Sequence, residues 1–138
     1  MFIDFSISAS GMEAQRLRLD TISSNLSNAN TTRGVNGDPY RRRDVIFEAD
    51  NSFQKVLSNK GYKVPVKVIG VVEDQTPFKT IYQPGHPDAD TNGYLRLPNV
   101  NVVEEMVNMI SAMRAYDASI ASFKTSRDMM NKALQMGR

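Results

Sequence analysis

The last third of the chain carries a heptad ladder that restricts the fold more than any other feature. Stepping alternately by four and three from Val102 reaches Met106, Met109, Met113, Tyr116, Ile120, Phe123, Arg127, Met130 and Leu134. Only Arg127 breaks the apolar stripe. A repeat of about 3.5 residues keeps one seam facing a partner helix along its whole length, whereas a helix on a compact core shows a broader stripe of period about 3.6. The segment is therefore predicted as one helix, from about Val102 to Met136, that needs another helix beside it. Asn101 is placed as its N-cap, with Glu104 three residues later completing a capping box, and Gly137 marks its end.

A second helix opens the chain. Phe5, Met12, Leu19, Ile22, Leu26 and Ala29 fall on one heptad ladder, with Ser8 and Gln15 as polar rungs. This helix is predicted from about Asp4 to Asn28, stopping in the polar run from Ser27 to Gly34, where short side chains compete for backbone hydrogen bonds. At about 1.5 Å per residue the first helix is roughly 37 Å long and the second roughly 52 Å, so the longer one overhangs. Asn25 and Asn28, three apart on one helical face, are positioned to bond across the seam and fix its register; the alternative is a fraying helix end.

Between the helices the pattern changes to β. Asn36-Gly37-Asp38-Pro39 is turn chemistry. In residues 63–73, Val64, Val66 and Val68 alternate with Pro65, Lys67 and Ile69, the clearest strand signal in the chain. Pro65 cannot donate to a ladder, so this strand lies at an edge or begins after it. Residues 44–58 hold further apolar groups, Val45-Ile46-Phe47 and Phe53, Val56 and Leu57, and the segment from Phe78 to Tyr82 is predicted as the partner of the 63–73 strand. A loop from Gln83 to Gly93 precedes the short extended piece Tyr94–Leu97. The expected fold is α+β: two long terminal helices pairing as an antiparallel coiled coil, with a small β-rich insert between them. The segments are 1–32, 33–98 and 99–138.

Several functions are excluded or disfavoured by composition. Lys+Arg of 17 against Asp+Glu of 15 gives a formal charge of +2, too even to imply nucleic acid. Cysteine is absent, which removes disulfides, thiolate metal sites and thiol catalysis together. No run of about eighteen apolar residues is present to span a bilayer, and Asp4 stands where a secretory signal would be basic. His86 lies near Asp88 and Asp90, but the spacing matches no calcium loop or zinc signature, and no catalytic motif is visible. No metal, no cofactor and no enzymatic activity are expected. The run Arg41-Arg42-Arg43 is read as a solvated strand edge that discourages unwanted pairing. Met106, Met109, Met113 and Met130 suit a seam that must adapt to non-identical neighbours; the competing use is a soluble adaptor or export chaperone that binds partners through a Met-rich groove.

Two segments resemble a known family. Ser23-Ser24-Asn25-Leu26-Ser27-Asn28-Ala29-Asn30-Thr31-Thr32 is similar to the N-terminal signature of the bacterial flagellar axial proteins, the rod, hook and related proteins. The segment Asn99-Val100-Asn101-Val102-Val103-Glu104-Glu105-Met106-Val107-Asn108-Met109-Ile110, continuing through Arg114-Ala115-Tyr116, is similar to their C-terminal signature. The short insert, with Tyr82-Gln83-Pro84-Gly85-His86-Pro87-Asp88-Ala89-Asp90, resembles a rod member. The resemblance implies a structural subunit of the basal-body rod, the hollow drive shaft that carries torque across the periplasm for motility. It implies export through the flagellar type III apparatus without a cleaved signal peptide, and partners that are copies of this chain and other rod proteins. The expected assembly residues are Leu19, Ile22, Asn25, Leu26 and Asn28 on the first helix. On the second they are Met106, Met109, Ile110, Met113, Tyr116, Ile120, Phe123, Arg127, Met130 and Leu134. Arg127 either sets register or snorkels where the ladder turns off the seam.

Overall fold

The computed structural model describes residues 2–34, 36–49 and 64–137. Phe53, Val56, Leu57 and Lys63 lie outside the described residues. In chain order the elements are α1 (Phe2–Ser27), β1 (Arg43–Ala49), β2 (Val66–Glu73), β3 (Lys79–Tyr82), β4 (Tyr94–Leu97) and α2 (Val102–Met136).

Both helices end where their sequences change the hydrogen-bonding options. Past α1, Asn28 Nδ2 donates to the Ser24 carbonyl at 2.9 Å and Thr31 Oγ1 donates to Asn28 Oδ1 at 3.2 Å. The last turn is thereby closed by side chains instead of by further helix. At the start of α2 the Asn101 side chain accepts the Val103 N–H at 3.3 Å, and Glu104 and Glu105 sit in the first turn, at the positive end of the helix dipole.

The helices pack antiparallel. The Phe5 and Phe123 rings meet edge to face at 5.0 Å, Ser8 Oγ lies 3.5 Å from Ser122 Oγ, and Asn25 reaches Glu105 at the other end of the pair. Positions on α1 thus rise as their partners on α2 fall. With 35 residues against 26, α2 continues past the start of α1 beyond about Ser126.

The insert is two separate antiparallel ribbons. β1 pairs with β2 from Arg43↔Glu73 to Ala49↔Val66, with a bulge where Ile46 faces Gly70 and Phe47 faces Val68, leaving Ile69 as the extra residue. β2 begins at Val66, directly after Pro65, as the missing N–H of proline requires. This ribbon lies on α1: Val45 is buried, and the Val66 N–H donates to Ser10 Oγ at 3.1 Å.

The expected pairing of Phe78–Tyr82 with the 63–73 strand is corrected. β3 pairs with β4, from Lys79↔Leu97 to Tyr82↔Tyr94, while β2 takes β1. Two local causes are visible. The Gln83–Gly93 loop closes on itself through Gln83 N–H to Gly93 O at 2.8 Å, which makes a hairpin. After β2, the chain is held away from it, because Asn99 Nδ2 donates to the carbonyls of Asp74 and Thr76, both at 3.2 Å. The small apolar core contains Ala14, Ile22, Val45, Leu95, Val100 and Ala112.

Candidate assembly surface

Within the chain, α2 does not use the whole predicted ladder. Glu105, Ala112 and Ser126 are buried, and Met109, Tyr116, Ser119, Phe123 and Met130 are half-buried. The inward seam therefore shares only Met109, Tyr116, Phe123 and Met130 with the expected one. Its other rungs, Glu105, Ala112, Ser119 and Ser126, are small or polar. Ile120 is half-buried, whereas Met106, Met113, Arg127 and Leu134 are exposed. On α1, small or polar residues again share the buried surface: Ser8, Ala14, Thr21 and Asn25 are buried with Ile22, Leu19 and Leu26 are half-buried, and Asn28 is half-buried just past the helix end. Small rungs allow close approach of the two backbones. At Gly11 even a Cβ would stand 3.2 Å from Ser119 Oγ.

One end of the seam is locked by a buried polar knot. Asn25 is fully buried and uses its whole amide: Nδ2 donates to the Arg43 carbonyl at 2.8 Å and to Glu105 Oε2 at 3.0 Å, while Oδ1 accepts from Tyr40 Oη and from the Arg43 N–H, both at 3.0 Å. The Glu105 carboxylate, also fully buried, receives Arg42 Nε on its other oxygen at 2.8 Å. Burial opposes the Arg42 charge, but the hydrogen bond and charge of Glu105, with those of Asp44, outweigh it and raise the guanidinium pKa above its ordinary value. The Arg42 N–H donates to Asn99 Oδ1 at 2.7 Å, so the segment before α2 joins the same knot. Asp74, 3.5 Å from Arg42, has its pKa lowered chiefly by the Thr76 backbone N–H, against partial burial, with the Thr76 and Arg42 side chains adding to the effect.

The reading of Arg41-Arg42-Arg43 as a solvated edge is therefore corrected. Arg42 is inside the knot. Arg41 stacks over Phe78 at 4.5 Å and donates to the Asp74 carbonyl at 3.0 Å, tying the two ribbons together. Arg43 lies over Tyr40 and pairs with Glu73 across the ribbon. A residue this far away in sequence as Glu105 leaves no local trace beside the arginines. The available signal was the period-seven set Glu105, Ala112, Ser119, Ser126 and Ala133, which is uniformly small or polar. Of the two asparagines, Asn25 bonds across the seam and Asn28 only closes its own helix. Arg127 faces solvent and approaches its neighbour Asp128 at 3.6 Å.

Opposite the seam, α2 presents Val103, Met106, Val107, Ile110 and Met113 to solvent, with exposures from 50% at Met106 to 70% at Val103. These positions lie on one side of the first three turns, a contiguous apolar stripe. Leu134 and Met136 extend exposed apolar surface onto the overhang.

In the insert, His86 Nδ1 accepts the Asp88 N–H at 3.1 Å, and the Asp88 carboxylate receives Thr32 Oγ1 at 2.8 Å with Arg33 at 3.7 Å. Asp88 thus ties the loop to the segment after α1. Among the described residues no group of three or more metal-ligating side chains converges, and no helix is long and apolar enough to cross a membrane.

The two ends of the chain match two family models. Residues 5–33 match the model described as flagella basal body rod protein, and residues 91–136 match the model for the C-terminal region of flagellar basal body rod FlgEFG proteins. The flagellar basal-body rod protein FlgC of Salmonella typhimurium is 43% identical over 134 residues, covering 97% of this chain and 96% of the relative. FlgC of Borreliella burgdorferi is 42% identical over 146 residues, covering 97% and 95%. FlgC of Bacillus subtilis is 38% identical over 147 residues, covering 99% and 98%. Both helical ends and the insert are included in each alignment, and the chain belongs to the FlgC family of flagellar basal-body rod proteins, structural subunits of the rod.

Proposed function

We propose that the chain polymerises through its terminal helices with copies of itself and with other rod proteins, using the outward stripe of α2 as the principal contact. The observation that carries this reading is the stripe itself, five large apolar side chains exposed on the most regular element of the fold. Surface of this kind is covered when a subunit meets different patches on successive neighbours, the heterologous contact that generates helical filaments. Rods built this way form a shaft that carries torque across the periplasm. Export proceeds through the flagellar type III apparatus as an unfolded chain, a route compatible with a fold that contains no disulfide. No catalytic step belongs to this role.

Met113→Glu tests the reading. Met113 is half exposed, so the substitution leaves the folded subunit intact, but in a covered stripe an unpaired carboxylate costs roughly 2–7 kcal/mol. The expected result is normal circular dichroism of the purified protein, normal export, and no rods or swimming in cells carrying only the variant. Normal rods would remove the stripe from the interface.

A further inference from the structure

The chain contains two Asn-Gly pairs, and the structure builds the same loop around each. In one, Gly34 N–H donates to Asp38 O at 2.8 Å and Gly37 N–H to Gly34 O at 3.0 Å. In the other, Asp90 N–H donates to Tyr94 O and Gly93 N–H to Asp90 O, both at 2.8 Å. Both glycines take positive φ, +84° at Gly37 and +81° at Gly93. Each loop is a turn followed by a left-handed glycine, the arrangement that Asn-Gly favours. The two closing hydrogen bonds and the glycine φ are therefore matched, while the packing around the glycines differs.

Gly93 is packed. A Cβ added there would lie 2.9 Å from Tyr82 Cε2 and 3.1 Å from Pro84 Cβ, and its carbonyl is held by the Gln83 N–H. Gly37 is exposed and has nothing within 4 Å of the same point. Asn36 and Asn92 are both exposed, so the contrast rests on the glycines.

We propose that Asn36 is a site of spontaneous deamidation and that Asn92, with the same neighbour and the same turn, is protected by its packing. In this reaction the Gly37 backbone nitrogen loses its proton to hydroxide and attacks Cγ of Asn36. The Cγ–Nδ2 bond breaks as Nδ2 takes a proton from water, regenerating hydroxide, and ammonia leaves, giving a cyclic imide. Water then opens either carbonyl of the imide, producing aspartate or isoaspartate. The attack requires the Asn-Gly peptide to rotate toward the side chain, and glycine permits this only where its surroundings do. Open space at Gly37 allows the rotation; Tyr82, Pro84 and the Gln83 bond oppose it at Gly93.

The product carries a new carboxylate beside Asp38, which holds Arg96 at 3.0 Å. Gly37, Arg33, Asp88 and Arg96 line one cleft, about 550 Å³ in volume, and the charge appears on the residue next to that lining. Isoaspartate also lengthens the backbone by one methylene and breaks the matched hydrogen bonds of the loop.

The test is incubation of the full-length protein in mildly alkaline buffer, followed by peptide mapping and assay for isoaspartate. Conversion at Asn36 should exceed that at Asn92 by about tenfold or more, the ratio produced by a barrier difference of about 1.4 kcal/mol. In denaturant the two sites should convert at similar rates, and Asn36→Gln should remove the isoaspartate signal from the 34–38 peptide. Equal rates in the folded protein, faster conversion at Asn92, or a difference that persists in denaturant would overturn the proposal.

Discussion

The two faces of α2 divide their side chains differently from those of an ordinary amphipathic helix, because half of the inward rungs are small or polar while the outward side of the first three turns is apolar. Toward α1 the helix alternates Glu105, Ala112, Ser119 and Ser126 with Met109, Tyr116, Phe123 and Met130; toward solvent its first three turns show Val103, Met106, Val107, Ile110 and Met113. Close approach and hydrogen bonding give the inner face specificity, but its small rungs bury little apolar area and a buried ion pair adds little net stability over apolar packing. The outer face leaves five large apolar side chains half or more exposed. The contrast teaches that the geometry of the subunit is set internally, while its largest apolar stripe is left free for the neighbours proposed above.

The sharpest way to break this comparison is at the knot. Glu105→Ala leaves the Asn25 amide and the Arg42 guanidinium without their buried acceptor, a loss worth about 3–5 kcal/mol for a severed buried pair. Asp44 and Asp74 remain within reach of Arg42, at 3.3 and 3.5 Å, so the lower end of that range is expected. Urea denaturation monitored by circular dichroism measures it; an unchanged midpoint would mean that the inner face is not held by this carboxylate. A smaller effect is expected at the crossing point. Gly11→Leu gains about 1 kcal/mol of helix propensity. It also forces a side chain into the space occupied by Ser119, an overpacking cost of about 1–3 kcal/mol. Net destabilisation, with a wider helix separation by spin-label distances, is the expected outcome, and a more stable variant would show that the helices are not in close contact. The least effect belongs to Arg127→Leu, since that side chain is 61% exposed and its ion pair is with the adjacent, equally exposed Asp128. Monomer stability should move by less than about 0.5 kcal/mol. Rods should form normally unless Arg127 sets register between subunits, in which case electron microscopy would show heterogeneous ones.

Much of this was legible in the sequence, for local reasons. The start of α2 follows from Asn101 and its acidic first turn, and the start of β2 from Pro65, because caps and prolines act within a few residues. The β2 partner was not legible, since strand pairing depends on segments distant in sequence, and Arg43–Ala49 competes with Phe78–Tyr82 on equal local terms. The helix ladder was legible only in part. Two ladders offset by one residue share Met109, Tyr116, Phe123 and Met130, and hydrophobicity selects the more apolar one without saying which partner covers it. Here the less apolar ladder faces α1. The arginine run was misread because the group that organises it, Glu105, is 63 residues from Arg42.

The unequal lengths of α1 and α2 leave the protein without a flat end. When such pieces are joined lengthwise, the protruding turns of α2 make each seam a lap joint, not a butt joint. In the proposed polymer, a cut at the end of one α1 still passes through the backbone of α2, so twisting load would cross the junction as shear along the overlapped flank of that helix and not through end-to-end contact alone.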